Sequence, residues 1–236
     1  MSGATAVLNT FFDQYGISIS TTQDTLPATV KLDAIWQRLS PTSPNDLSDT
    51  KAFGSWLIDE WSKYPKAWIK ASDIQAVILG RALTATSNNA EEGVAEPNGI
   101  ILYNLELFER SNNPEDYYRG LIHHEFDHEI EFGIRLSPDR PDGDWSAFNP
   151  TGFAYGKTSD VSAHPRQSFV TPYAETTIGE DKAEAYSYMF VNSRSKQLSQ
   201  WVQADPGLAG KVTYYKAFIK NQVPIMDDAY FAAINP

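Results

Sequence analysis

The stretch HHEFDH, residues 123–128, holds three of the four histidines in this chain of 236 residues. Within it, HEFDH at residues 124–128 has the pattern H-E-x-x-H. Side chains four residues apart on a helix lie on the same face, so the imidazoles of His124 and His128 can bind one metal ion. Glu125 lies about 100° further round the helix, from where its carboxylate can reach a water molecule on the open side of the metal. The stretch therefore predicts a metal-binding helix with a carboxylate beside the metal.

The predicted metal is zinc, with one Zn²⁺ ion per chain. Histidine nitrogens are ordinary zinc ligands, and zinc lowers the pKa of its bound water to about 7. A neighbouring carboxylate can then take the proton of that water, which makes Glu125 the candidate general base. The competing explanation is a surface helix with solvated His and Glu side chains, or a neutral histidine that is hydrogen-bonded in the core.

The motif is predicted to lie on a helix with well-marked ends. Asn113 suits the N-cap, Pro114 suits the first helical position, and two acidic residues follow at the positive end of the helix dipole. Gly133 is a natural helix stop. The predicted helix covers residues 114–132 and favours the metal-site interpretation. His123 points to another side of this helix, so we predict a supporting or structural role for it.

Other classes of metal site fail on the sequence. Di-iron carboxylate bundles need two E-x-x-H motifs from two helices, and the chain has no second one. The extended three-histidine form of H-E-x-x-H would require a third histidine in a register that holds EFGI, residues 131–134. The chain has no cysteine, which excludes cysteine-ligated zinc and disulfide bonds.

A third zinc ligand is predicted in GEDKAEA, residues 179–185, because a catalytic zinc keeps three protein ligands and one open position. Glu180 can complete the zinc shell. Glu184, one helical turn further on, can accept the free N–H of a ligand histidine and so fix its tautomer. The small Ala183 would allow close approach of the helix that carries His124.

Two alternatives remain open for this glutamate. Thr177-x-x-Glu180 is also a capping box, and a glutamate near a helix start needs no metal. Outside the motif, His164 is the other imidazole that could serve as the third ligand.

H-E-x-x-H followed about fifty residues later by E-D-x-A-E resembles the gluzincin-type zinc metallopeptidases. It is especially similar to the zinc-binding metallopeptidases found in bacterial genomes and to the catalytic domain of anthrax lethal factor. The resemblance covers residues 99–192, under half of the chain. It implies that His124, His128 and Glu180 are the zinc ligands and that Glu125 is the general base.

The same resemblance implies a catalytic tyrosine seven residues before the ligand glutamate, where Tyr173 stands. A phenol near the zinc can donate a hydrogen bond to the oxyanion of a tetrahedral intermediate. His164 is the alternative oxyanion donor. The segment NPTGFAY, residues 149–155, is also similar to one in the bacterial proteins, and the resemblance implies no role for it.

The predicted helices and strands indicate an α+β fold with a small mixed sheet, and the resemblance implies that this fold is zincin-like. A single catalytic domain is expected over residues 1–236, with a mostly helical portion at 1–72 and a zincin-like core at 73–236. By analogy with zincins, the strand at 99–105 is expected to bind substrate backbone as an added strand. The predicted segments are a strand at 73–85, a loop at 87–99, irregular chain at 133–176, and helices beginning near Thr177 and at 208–222. Residues 99–108 are predicted as a second strand, or as a strand that runs into the start of a helix.

The composition limits the partners. A net charge of −11 argues against nucleic acid, because binding to phosphates needs a basic patch. The longest apolar runs are too short to span a membrane, and MSGATAVLNTFFDQYG at the start lacks the features of an export signal. The resemblance to the bacterial proteins favours a location outside the cytoplasm after removal of a signal, with the cytoplasm as the alternative.

The predicted function is zinc-dependent hydrolysis of peptide bonds in a peptide or protein substrate, as an endopeptidase. Two alternatives stay open: a peptidase-like binding module without turnover, and a zinc hydrolase that acts on a non-peptide amide. The same activated water would serve both amide chemistries. The sequence does not determine the cleavage specificity or the oligomeric state.

Overall fold

The computed structural model of the protein contains two compact units, Met1–Gly133 and Ile134–Pro236. The fold is α+β with a small mixed sheet, as predicted. No helix in the described part of the chain has the length and apolarity to cross a membrane. The single catalytic domain over residues 1–236 stays a prediction. The structure describes residues 2–21, 31, 36–39, 44–85, 91–106, 113–156, 158, 164 and 167–235.

The first unit combines a sheet with helices on the chain before and after it. Its elements are α1 (Ser2–Asp13), β1 (Ser18–Ser20), β2 (Trp36–Leu39), α2 (Pro44–Trp61), α3 (Lys66–Ala71), β3 (Ala76–Ala85), β4 (Gly93–Glu96), β5 (Ile100–Asn104) and α4 (Pro114–Arg135), whose last two residues belong to the second unit. The strands β3 and β5 confirm the two predicted strands, although β5 ends at Asn104 and residues 107–108 of the second prediction lie outside the described residues. They are buried because Val, Ile and Leu fill both faces.

The sheet order within the described residues is β1-β3-β5-β4, with β2 paired to β3. The strands β1, β3 and β5 are parallel, whereas β4 runs antiparallel to β5. Since β5 has a neighbour on each side, its backbone has no open edge for a further strand. The expectation that the strand at 99–105 binds substrate backbone is therefore wrong, and β4 is the edge strand on this side of the sheet.

Three local predictions differ from the structure of the first unit. The predicted loop at 87–99 contains β4, and its residues 87–90 lie outside the described residues. The mostly helical portion also contains the short strands β1 and β2. Helix α4 continues past Gly133. Glycine is needed at this position because the helix packs against backbone there: a Cβ would lie 2.6 Å from the carbonyl oxygen of Ala71. The helix ends instead before Leu136, which has a φ of 71°.

The second unit is helical. Its elements are α5 (Gly143–Ser146), a 3₁₀ turn (Tyr173–Glu175), α6 (Ile178–Phe190), α7 (Asn192–Ala204), α8 (Pro206–Gln222) and α9 (Asp228–Ile234). The first two of these interrupt the predicted irregular chain. Thr177 is the N-cap of α6, and its hydroxyl accepts a hydrogen bond from the backbone N–H of Glu180, so the predicted helix start is confirmed.

Candidate metal centre

The two histidines of the H-E-x-x-H pattern face each other on α4. The Nε2 atoms of His124 and His128 lie 3.2 Å apart, and their ring planes are nearly perpendicular, at 84°. Two histidine ligands of a tetrahedral zinc ion, each at about 2.0–2.1 Å from the metal, have nitrogens about 3.3 Å apart. The pair therefore fits two neighbouring positions of a zinc shell.

Glu125 lies on α4 directly after the first of these histidines and is buried, with 4 % of its surface exposed. The edge strand β4 passes over its carboxylate. A Cβ at Gly93 would be 2.6 Å from Oε1 and 2.9 Å from Cγ of Glu125, so only glycine lets the strand pass so closely. The position of the carboxylate is thus defined from two sides, by the helix and by the strand.

A second carboxyl group lies close to Glu125. Glu129 follows one turn later on α4, and burial together with the charge of Glu125 raises the pKa of Glu129 to about 9. Burial and the charges of Glu125 and Glu129 also raise the pKa of Tyr103 on β5. The side of α4 that faces the sheet therefore places a second carboxyl group, protonated at neutral pH, beside the candidate base.

His123 serves a different purpose, as expected from its place on the helix. Its Nε2 lies 2.6 Å from Oε2 of Glu60, and its Nδ1 is hydrogen-bonded to the hydroxyl of Tyr64. Burial by itself raises the pKa of Glu60, but the hydrogen bond and charge of His123, together with Lys63, lower it to about 2. These contacts tie α4 to α2 and so fix the helix that carries the metal-binding pattern.

Glu180 occupies the first turn of α6 and is half-buried. Its backbone N–H donates to the Thr177 hydroxyl at 3.2 Å, so the capping contact is made by the main chain of Glu180. Asp139 accepts a hydrogen bond from the N–H of Gly179, also at 3.2 Å. The turn that carries Glu180 is therefore held at two backbone positions.

Glu184 and Tyr173 are linked through one threonine within the second unit. The hydroxyl of Thr171 donates to Oε2 of Glu184 at 2.7 Å and accepts the backbone N–H of Ala174 at 3.2 Å. The side chain of Tyr173, the first residue of the 3₁₀ turn, is 51 % exposed. Thr171 thus connects the turn that carries the exposed phenol to helix α6.

The ring of His164 is packed within the second unit. It stacks on Trp201 with centroids 4.8 Å apart and planes at 17°. Its Nδ1 lies 3.0 Å from the carbonyl oxygen of Phe169, and its Nε2 is 3.9 Å from Oδ2 of Asp205. Ring stacking and these polar contacts indicate a structural role for His164.

Two residues that shape the candidate site, Gly93 and Thr171, were not predicted from the sequence. Gly93 lies in a segment without strand alternation, so nothing in the pattern signals that it passes over Glu125. Thr171 stands two residues before Tyr173, and a Thr before a Pro is a known turn signal. That signal predicts the turn, whereas the bond to Glu184 depends on tertiary structure.

Comparison with known proteins places the chain in a family. No curated protein matches the sequence. A solved structure described as a "putative zinc-binding metallo-peptidase" from Bacteroides caccae ATCC 43185 has the same fold, with a TM-score of 0.61 and 13 % identity, over 99 % of this chain and 92 % of that one. The likeness to anthrax lethal factor stays a prediction. A family model described as "Putative zinc-binding metallo-peptidase" matches residues 75–224, more than half of the chain, and the protein therefore belongs to this family.

Proposed function

We propose that the protein is a zinc-dependent metallopeptidase that hydrolyses peptide bonds. The observation that carries the proposal is the pair of Nε2 atoms of His124 and His128, 3.2 Å apart on the helix that also carries the buried Glu125. Family membership supports zinc as the metal. His124 and His128 of the first unit are proposed as two of the zinc ligands, and Glu180 of the second unit is proposed as the third.

The donor set has the chemistry of a catalytic zinc site. Two neutral imidazoles and one carboxylate leave the ion with a net positive charge, and three protein ligands leave one position open. When bound, zinc polarises the scissile carbonyl and acidifies the water at that open position. Glu184 is proposed to accept the free N–H of a ligand histidine, which holds the imidazole in the tautomer that can bind.

Glu125 is proposed as the general base. Its carboxylate takes the proton of the attacking water and later gives a proton to the leaving amine, so it acts first as a base and then as an acid. Its place next to His124, and not four residues from it, keeps it beside the metal without making it a ligand. The close passage of Gly93 limits the directions in which the carboxylate can turn.

Tyr173 is proposed as the oxyanion donor. Its exposed phenol can reach a bound substrate from the surface, and a hydroxyl that donates to the developing negative charge lowers the barrier. The packed ring of His164 supports this choice, because stacking on Trp201 and the contact with Phe169 would have to break before that imidazole could turn to a substrate.

The substrate backbone is proposed to align with the edge strand β4. The backbone N–H of Asn104 donates to the carbonyl oxygen of Glu92. In the antiparallel β4–β5 pair, hydrogen-bonded residues alternate with residues that do not bond to the partner strand, so every second residue after Glu92 bonds to β5. The backbone groups of Gly93 and Ala95 consequently point away from β5, towards the edge at which no described strand pairs. An extended peptide could bind there by strand addition.

The proposal is tested with a denatured protein such as casein as substrate, and with wild type and Glu125→Gln compared at equal zinc content. We expect cleavage by wild type, its loss on chelation and recovery with zinc, and a loss of about 10²–10⁴-fold in the variant. A zinc-loaded wild type without turnover on any amide would favour a binding module. Hydrolysis of small amides but not of protein would favour the amidase alternative, and full activity in the variant would contradict the assigned base.

A further inference from the structure

The segment NPTGFAY, residues 149–155, reaches the carboxylate of Asp181 in the second unit. The hydroxyl of Tyr155 donates to Oδ2 of Asp181 at 2.8 Å and accepts a hydrogen bond from the side-chain amide of Asn149 at 3.0 Å. The first and last residues of the segment are thus joined to each other and to helix α6. The resemblance implies no role for this segment, whereas these contacts connect it to the first turn of α6.

Asp181 is the point at which several elements meet. It is buried, with 1 % of its surface exposed. Besides Tyr155, its Oδ2 accepts hydrogen bonds from Nε1 of Trp145 at 2.8 Å and from Nζ of Lys211 at 2.6 Å. One carboxylate oxygen therefore connects the first turn of α6 to α5, to α8 and to the 149–155 segment.

Asp181 directly follows Glu180, so the two residues share the first turn of α6. Three donors that hold the Asp181 carboxylate also restrict rotation of this turn about the helix axis, and that rotation sets the direction of the Glu180 side chain. We propose that Tyr155 is a positioning residue for the zinc ligand Glu180 and acts through Asp181. This inference rests on the proposed function, in which Glu180 binds zinc.

Tyr155 is the donor whose removal tests the idea. Trp145 and Lys211 are fully buried, so their replacement would disrupt the core and leave a buried carboxylate poorly compensated. The ring of Tyr155 packs edge-on against Phe153, with centroids 5.1 Å apart, and a phenylalanine would keep this contact. Tyr155→Phe thus removes one hydroxyl and little else.

Tyr214 offers a matched control in the same unit. Its hydroxyl also donates to a carboxylate, Oδ2 of Asp142 at 2.9 Å. That carboxylate caps α5 and is also paired with Arg135 and with Lys182 of α6, but it accepts none of the three hydrogen bonds that hold Asp181. Tyr214→Phe removes a hydrogen bond of the same kind without touching Asp181.

The measurement is the zinc dissociation constant, by competition with a chromogenic chelator, for wild type, Tyr155→Phe, Tyr214→Phe and Glu180→Ala. Thermal unfolding of the metal-free proteins is recorded beside it. We expect Tyr155→Phe to weaken zinc binding about tenfold and Glu180→Ala to weaken it more, since partners that orient ligands typically contribute 10–100-fold. Tyr214→Phe should bind as wild type does, although both tyrosine variants unfold at similar temperatures.

Two results would overturn the inference and leave the zinc site intact. In one, Glu180→Ala weakens zinc binding and Tyr155→Phe does not. In the other, both tyrosine variants weaken it equally, which indicates a general structural effect. If Glu180→Ala binds zinc as tightly as wild type, the third ligand of the proposed function is wrong and the positioning role fails with it.

Discussion

The carboxylate of Glu125 lies so close to the backbone of Gly93 that a single methyl group at residue 93 would come within 2.6 Å of Oε1. The edge strand β4 and helix α4, which carries the proposed zinc ligands, thus meet at the residue that we propose as general base. The contact joins the place where substrate backbone is proposed to bind with the group that activates water. Substitutions at Gly93 and at Ala95 can therefore change the activity without changing a proposed zinc ligand.

The first prediction concerns this contact. Gly93→Ala should fold and keep its zinc, because the end of a glutamate side chain can move, but the base is displaced. Misplacement by about 1 Å costs about 10²-fold in rate, so kcat/KM should fall by about that factor. Gly143→Ala is the control, since a Cβ there meets nothing within 4 Å. Wild-type kcat/KM in Gly93→Ala would show that the contact is unimportant for catalysis.

The second prediction concerns the edge of β4. Ala95→Pro removes an N–H that points away from β5 and leaves the ladder bonds of the strand pair in place. If substrate backbone binds there, KM for a protein substrate should rise several-fold with zinc content unchanged. Ala95→Val, which keeps the N–H, should behave as wild type. An unchanged KM in the proline variant would place the substrate elsewhere.

The third prediction concerns stability in acid. The pKa of Glu60 is lowered to about 2 from an ordinary value of 4.5, so its charge stabilises the folded protein above that ordinary value. This contribution, on the order of 3 kcal/mol, should be lost as the pH falls from 4.5 towards 2. The difference in the free energy of unfolding between wild type and Glu60→Gln should shrink over that window. A difference independent of pH would contradict the assigned ion pairs.

The fourth prediction concerns Gly133 within α4. Alanine is normally the better helix residue by about 1 kcal/mol, but here its Cβ would lie 2.6 Å from the backbone oxygen of Ala71. We expect Gly133→Ala to lower the free energy of unfolding by about 1–3 kcal/mol. Gly54→Ala is the contrast, because the atom its Cβ meets is the mobile end of Leu8. A stabilised Gly133→Ala protein would refute the packing role.

Local patterns were sufficient for the elements that carry the chemistry. The H-E-x-x-H spacing, the proline at the start of α4 and the threonine cap of α6 are all contained within a few neighbouring residues. The strands β3 and β5 were predictable because a run of Val, Ile and Leu indicates burial on both faces. Each of these features depends on the chain next to it, which is why sequence alone identified them.

The missing parts depend on contacts between distant residues. The strand β4 has no alternation of its own and exists because it pairs with β5. Gly133 carries a local stop signal, but the helix passes it because a glycine is needed against Ala71. The meeting of Tyr155, Trp145 and Lys211 at one carboxylate joins residues far apart in the chain, and no local rule predicts it.

The zinc content of the purified protein tests the central claim most directly. Wild type, Glu180→Ala and Glu184→Gln are dialysed against metal-free buffer and their zinc is measured by elemental analysis. We expect about one zinc ion per wild-type chain, as for a catalytic site with three protein ligands.

Glu180→Ala should lose most of this zinc, because two imidazoles alone hold the ion weakly. Glu184→Gln should keep more of it, since it loses an orienting contact and not a ligand. Wild-type protein that holds no zinc, and takes up none when zinc is offered, would contradict the account.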